Sequence, residues 1–227
     1  MLPRSHERYG ARVKRSSAVL LCAAIGAALL AASRGNEAGA VPSARVTLAA
    51  RPLALPPNGL LSLSGAIDAG REGEIVTIQT KDCGLSAYTG VASATTGARG
   101  TFTAEFRPNI GTEVRALWNG ATSPPVAIRQ QPLVQVFKRA GRTFEIGVSS
   151  KGQFWHKRVL FQIRRGGWKT MKSVLLTDTA SSPGAPFVFT SARFRASVPR
   201  GTQVRAVLPA AQAKPCYLAA TSDPIRA

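Results

Sequence analysis

The sequence predicts an all-β chain, built as two tandem antiparallel β-sandwiches behind an N-terminal leader. Three observations carry this. A hexapeptide occurs twice, as Gly111-Thr112-Glu113-Val114-Arg115-Ala116 and as Gly201-Thr202-Gln203-Val204-Arg205-Ala206. Short runs of alternating apolar and polar residues recur between Gly, Pro, Asn and Asp, at a spacing of roughly ten residues, the pattern of half-buried strands joined by turns. No stretch past the leader sustains a helical period.

The repeat reaches beyond the hexapeptide. Val76-Thr77-Ile78-Gln79 lies over Val159-Leu160-Phe161-Gln162, and Leu61 and Leu63 lie over Phe144 and Ile146, all at an offset of 83. The hexapeptides are offset by 90, and Ala121-Thr122-Ser123 and Ala220-Thr221-Ser222 by 99. An offset that holds and then steps up marks matched strands with insertions in loops. The 227 residues therefore divide into a leader over 1–40, one sandwich over 41–131 and a second, basic one over 132–227. Each half is of the size that supports its own core.

The leader reads as a signal peptide. Arg12, Lys14 and Arg15 form a basic start, Ala18 to Ala32 is an apolar run of 15 residues, and Ala38-Gly39-Ala40 is a small-residue cleavage site. The run is shorter than the roughly 20 residues that a membrane span needs. The expected mature chain starts at Val41 and is secreted or held in the cell envelope, on the extracellular side. The alternative is an uncleaved leader, which would be the sole membrane attachment. Cys22 follows Leu21 inside the apolar run, a poor setting for lipidation.

In the first half, the Pro-rich stretch from Val41 to Asn58 runs into an edge strand, since proline cannot donate to a ladder. Leu61, Leu63 and Ile67 mark the next strand, interrupted by Gly65. Val76 and Ile78 point inward on the one after it, which Lys81-Asp82-Cys83-Gly84 closes. Tyr88 to Ala98 is small and polar, a weak strand or loop. Phe102, Ala104 and Phe106 alternate. On the hexapeptide strand Val114, Ala116 and Trp118 face inward, with Glu113, Arg115 and Leu117 outward. Asn119-Gly120 is a tight hairpin, and Val126 and Ile128 lie on the last strand. The second half repeats this with Val134 and Val136, then Phe144, Ile146 and Val148, and a turn over Ser149 to Gln153. Val159, Phe161 and Ile163 follow. Gly166-Gly167 turns the chain into a strand from Trp168 to Leu176, with Asp178 as a turn residue after it. Phe187 and Phe189, then Phe194 and Ala196, fill the next strands, and Val204, Ala206 and Leu208 close the core.

A family resemblance rests on these motifs. The strand Gly73 to Gln79, the Gly167-Trp168 turn, the Thr177-Asp178 pair, and the repeated hexapeptide followed by Ser123-Pro124-Pro125 or Ser222-Asp223-Pro224 resemble bacterial immunoglobulin-like tandem repeats. Such modules belong to exported, cell-surface proteins. The resemblance covers about residues 45–227 and is structural in kind. The hexapeptide resembles the strand that often carries a corner tyrosine in such folds. Val114 and Val204 stand in that place, so no corner hydrogen bond is implied, and the antibody-type Cys-Trp-Cys spacing is missing from both halves.

Charge is uneven. Residues 41–131 hold eight Lys and Arg against six Asp and Glu, whereas residues 132–227 hold sixteen against three. An acidic partner is therefore expected on the second half. Arg164, Lys169, Lys172 and Arg205 are placed together on the outer face of one sheet with Trp168 beside them, as contacts for an anionic ligand. Arg193 and Arg195 fall on the other sheet. Cations spread in this way do not form the stripe of a specific nucleic-acid binder; they suit an anionic envelope polysaccharide or a surface protein.

Catalysis has little to draw on. His156 is the one histidine of the mature chain and is flanked by cations. No G-x-S-x-G or H-E-x-x-H motif and no metal-ligand spacing of Cys or His occurs. Asp68, Glu72 and Glu74 read as a solvated turn. The expectation is a non-enzyme with no cofactor and no metal: a structural or adhesive module of the cell envelope, or alternatively a binding protein for an anionic envelope polymer.

The remaining cysteines, Cys83 and Cys216, are an even pair in an exported chain. In the immunoglobulin-like strand order that the resemblance implies, Cys83 follows the third strand of the first sandwich, at the end from which its last strand exits. Cys216 lies in the loop before the last strand of the second sandwich, at the end its first strand enters. The Gln130-Gln131-Pro132 connection is short, so those ends meet. A bridge between the sandwiches is expected, with Phe154 and Trp155 packed at the same junction. Free thiols or a bridge to another molecule are the alternatives.

Overall fold

The computed structural model describes residues 45–182, 184 and 186–227; the leader and its expected cleavage site lie outside them. The first sandwich is built from β1 (Ala49–Arg51), β2 (Ala54–Leu55), β3 (Leu61–Ala66), β4 (Ile75–Asp82), β5 (Thr89–Thr95), β6 (Thr101–Phe106), β7 (Thr112–Trp118), β8 (Ala121–Thr122) and β9 (Val126–Gln130). One sheet has the order β1-β3-β6. The facing sheet runs β2-β9-β7-β4-β5, with β8 also on β7. The pairs are antiparallel except β2 with β9. The second sandwich is built from β10 (Leu133–Lys138), β11 (Thr143–Ser150), β12 (Arg158–Arg164), β13 (Trp168–Leu175), β14 (Asp178–Ala180), β15 (Val188–Arg195), β16 (Gln203–Leu208), β17 (Ala220–Thr221) and β18 (Ile225–Arg226). Its sheets run β10-β11-β15-β14 and β13-β12-β16-β17, with β18 also on β16. In both copies the hexapeptide strand sits inside one sheet, and the whole is a pair of immunoglobulin-like antiparallel sandwiches.

Alternation explains the cores. On β7, Val114, Ala116 and Trp118 are buried, and on β16, Val204, Ala206 and Leu208 are, while the residues between them are half-buried on the outer face. In the first sandwich Leu61 and Leu63 face them from the other sheet, and Val76 and Ile78 pack beside them on β4. In the second, Phe144 and Phe161 replace Leu61 and Ile78, and with Phe194 they meet as a triangle, with ring centroids 5.0, 5.0 and 6.1 Å apart.

The repeated Ala-Thr-Ser has a physical cause. The Oγ of Ser123 accepts from the backbone N–H of Ala116 at 3.0 Å and donates to the carbonyl of Pro124. In the second copy, the Oγ of Ser222 accepts from the N–H of Ala206 at 2.9 Å and donates to the carbonyl of Asp223. The serine thus completes the ladder of the hexapeptide strand where β8 and β17 leave it. Ser222→Ala is expected to lower stability by about 1–3 kcal/mol, because the buried N–H of Ala206 is left unpaired. Thr221→Ala, at an exposed site, should cost little. Urea unfolding of the two variants checks this.

Four details of the strands differ from expectation. β11 continues to Ser150, so the turn begins later than Ser149. Phe189 and Phe194 lie on one strand, β15, which pairs with β11 along its whole length; no turn residue interrupts it. Asp178 starts β14, a short outer strand on β15, and is not in a turn. The longer loop before β17 contains one helical turn, Ala210–Ala213.

Candidate functional site

Two features stand out, the junction between the sandwiches and the outer faces of the sheets that carry the hexapeptide. At the junction Cys83 and Cys216 are bonded, with Cα atoms 5.4 Å apart. Backbone bonds flank the bridge. The N–H of Gly111 donates to the carbonyl of Cys216 at 3.0 Å, and that of Leu218 to the carbonyl of Gln130 at 2.8 Å. A Cβ on Gly111 would stand 2.7 Å from the Cys216 carbonyl, so the close approach requires glycine there. Ile110, from the first sandwich, is buried among the core residues of the second. The Tyr217 hydroxyl donates to the Asn109 carbonyl and accepts from the N–H of Lys151. Burial, partly offset by the bond from the Lys151 N–H, pushes its pKa above the ordinary value. Lys151 also pairs with Asp82 across the junction.

Phe154 is buried against Tyr217, centroid to centroid 5.5 Å. Trp155 does not join it, which corrects the expectation for that residue. His156 takes a positive φ of 60°, and the indole turns back onto its imidazole at 3.8 Å. Its Nε1 donates to the Thr177 carbonyl within the second sandwich, and the side chain stays 54% exposed.

The outer faces share one layout. In the first sandwich Arg115 Nε donates to Gln79 Oε1 at 2.9 Å, and the guanidinium lies 3.8 Å from the Tyr88 ring centroid. In the second, Arg205 Nε donates to Gln162 Oε1 at 2.8 Å and lies 4.2 Å from the Trp168 ring centroid. Both copies carry a β-bulge at the same place, between Ile78 and Gln79 and between Phe161 and Gln162. The copies part at the next row. Lys81 forms an ion pair with Glu113 at 2.8 Å, and the Tyr88 hydroxyl donates to the same carboxylate. Hydrogen bonds from Lys81 and Tyr88 hold Glu113 below its ordinary pKa. In the second copy Arg164 takes the place of Lys81 and Gln203 that of Glu113, so Arg164 donates to an amide, Gln203 Oε1, at 2.9 Å. Arg226 pairs in register with Gln203, where the first copy has Ala127 opposite Glu113.

The register also corrects two placements, Lys169 by alternation next to the outward Trp168 and Lys172 through the bulge. Lys172 registers with Phe161, and Lys169 with Ile163. Both partners are buried, so both lysines start from the core-facing side of β13, at its open edge. The Lys172 ammonium reaches over the Phe194 ring at 5.4 Å. One inserted residue exchanges the faces of a strand. Of the expected group, Arg164, Arg205 and Trp168 share the outer face.

On the other sheet of the second sandwich two arginines share one carboxylate. Glu145, 5% exposed, accepts from Arg139 at 2.9 Å and from Arg193 at 3.0 Å. Burial opposes its charge, but the bonds from Arg193 and Arg139 outweigh that and hold the carboxyl below its ordinary 4.5. A carboxyl lowered on folding adds stability that is present above its unfolded value and is lost as pH falls through the folded one. Glu145→Gln is therefore expected to flatten the acid limb of a stability-against-pH curve. Equal acid slopes in variant and parent would refute this.

Arg226 escaped the sequence reading, which had no register for a two-residue strand. So did Lys138, Arg142, Arg165 and Arg200, which line a cleft of about 570 Å³ with no carboxylate among its walls. Among the described residues no cluster of His, Cys, Asp or Glu is arranged to hold a metal ion. Glu74 is engaged by Trp118 Nε1 and Arg71. Among the described residues, no helix is long and apolar enough to cross a membrane.

No known family's sequence pattern matches the chain, and no curated protein matches it. Solved structures resemble it at low identity. A marsupial T cell receptor is 11% identical, covering 72% of this chain and 93% of its own, at a TM-score of 0.30. A tetra-tandem repeat from the extending region of a large adhesion protein is 13% identical, covering 81% of this chain and 49% of its own, at 0.33. Bovine butyrophilin is 10% identical, covering 81% of this chain and all of its own, at 0.29. At such scores the fold class rests on the strand order and not on these likenesses.

Proposed function

We propose that this chain is a non-catalytic, exported structural or adhesive module of the cell envelope, in which two sandwiches are held at a fixed mutual angle. The observation that supports it is the junction: a covalent bridge, two flanking backbone bonds and the apolar side chain of Ile110 sunk into the neighbouring core. Interfaces between domains in one chain ordinarily permit relative motion; this one is fastened at several points. A disulfide of this kind belongs to an oxidising compartment. Small-angle scattering of the oxidised mature chain tests the reading. One rigid shape is expected in the oxidised protein and a broader set of distances after reduction. Equal breadth in both states would remove it.

A second reading, a binding protein for an anionic envelope polymer, is favoured by the excess of cations over acids in the second sandwich. It predicts saturable binding that weakens steeply with salt, where a pure spacer binds nothing.

A further inference from the structure

We infer that the outer face of the β13-β12-β16-β18 sheet is a binding site for an acidic polysaccharide, read by Arg164, Arg205, Arg226 and Trp168. This rests on the polymer-binding reading and locates it. The first sandwich is the internal control. Both copies place an arginine from the hexapeptide strand on an aromatic ring and tie it to a glutamine on the neighbouring strand. In the first copy the neighbouring cation, Lys81, is neutralised by Glu113. In the second, Gln203 keeps the hydrogen-bonded geometry but brings no charge, and Arg226 adds a further cation in register with it. Among the described residues, no carboxylate lies within ion-pair distance of Arg164, Arg205 or Arg226. The nearest acid in sequence, Asp223, is exposed in the turn between β17 and β18.

The geometry selects the ligand class. Arg164 and Arg226 flank Gln203 on strands either side of β16, two strand spacings or about 10 Å apart. Arginine offers a planar fork that matches carboxylate bidentately. Gln203 between them has an amide to give to a hydroxyl. Trp168, partly exposed at the end of the row, supplies apolar ring surface for the C–H face of a sugar. A chain of uronic acid units presents carboxylates, hydroxyls and C–H faces in repetition, and this row matches all three. Arg165, next to Arg164 in the chain, leads from the row into the cation-lined cleft at the same end of the sandwich, which gives a long polymer somewhere to continue.

The test is titration of the mature chain with polygalacturonate, neutral dextran and inorganic polyphosphate at low and high salt. The parent is expected to bind polygalacturonate at low salt and to leave dextran unbound. Gln203→Glu, which copies the first sandwich and so is carried by the same fold, is expected to weaken binding about tenfold, as is Arg226→Ala. Trp168→Ala is expected to weaken polygalacturonate binding as well. If Gln203→Glu and Arg226→Ala bind like the parent, the site is wrong although the polymer reading stands. If the parent binds neither polygalacturonate nor polyphosphate, both fall; binding to polyphosphate alone overturns the sugar and leaves the polymer reading. Polyphosphate bound as tightly as polygalacturonate, or full affinity in Trp168→Ala, would overturn the sugar as ligand.

Discussion

Cys83→Ser in residues 41–227 is expected to lower the unfolding free energy by about 5 kcal/mol on the chain-entropy account, in which a crosslink restricts the unfolded ensemble. The two cysteines are 133 residues apart, so the closed loop is long and its restriction large. The substitution leaves the backbone bonds of Gly111 and Leu218, the Tyr217 hydroxyl, the Lys151–Asp82 pair and the buried Ile110 to hold the junction. Cys216→Ser should match Cys83→Ser, and the parent under reductant should match both. Urea unfolding, read separately through probes in each sandwich, checks this. In the oxidised parent the two probes should report one transition. In the variants two should emerge, with the first sandwich melting apart from the second. Coincident curves for oxidised parent and variants would show that the bridge restricts nothing that matters.

Phe161→Ala is expected to cost about 3–5 kcal/mol, the range for removing a fully buried aromatic ring. Phe161 has no exposed surface and touches both other members of the aromatic triangle. Its removal leaves a void between β11, β12 and β15 that strands paired on both sides cannot easily close. The equivalent change in the first sandwich, Ile78→Ala, removes less and should fall at about 2–5 kcal/mol. Thermal unfolding of the two variants gives the comparison. A loss under about 1 kcal/mol for Phe161→Ala would mean that the core repacks far more freely than its strand pairing suggests.

These changes concern the features that were most legible in the sequence. Alternation of period two is dictated by the pleat, so Val114, Ala116 and Trp118 could be placed inward from their spacing alone. The Cys83–Cys216 bridge was legible because strand order decides which loops share an end of a sandwich, and that needs no side-chain detail. The reading failed where one residue changes the count. The bulge after Phe161 moves Lys172 to the core-facing side, and nothing in the local composition announces a bulge. Trp155 was lost for a related reason: the left-handed backbone at His156 reverses the loop, and histidine is not a residue that signals such a turn. Arg226 lay on a strand of two residues, too short for any period. Even so, the unequal row was present in the repeat itself, since aligning Glu113 with Gln203 and Ala127 with Arg226 shows where charge balance is lost. Only the register makes those columns neighbours.

The long covalent loop has a mechanical meaning. A chain held at a point before Cys83 and pulled at a point after Cys216 carries the load through the sulfur–sulfur bond. The strands from β5 to β16 lie between the two cysteines and bear no tension along their own backbone. Their hidden length, 133 residues at about 3.3–3.6 Å each or roughly 450 Å, is withheld from extension while the bond is intact. The bridge therefore acts as a load bypass, protecting the greater part of both sandwiches from being drawn out while only the flanking strands can yield.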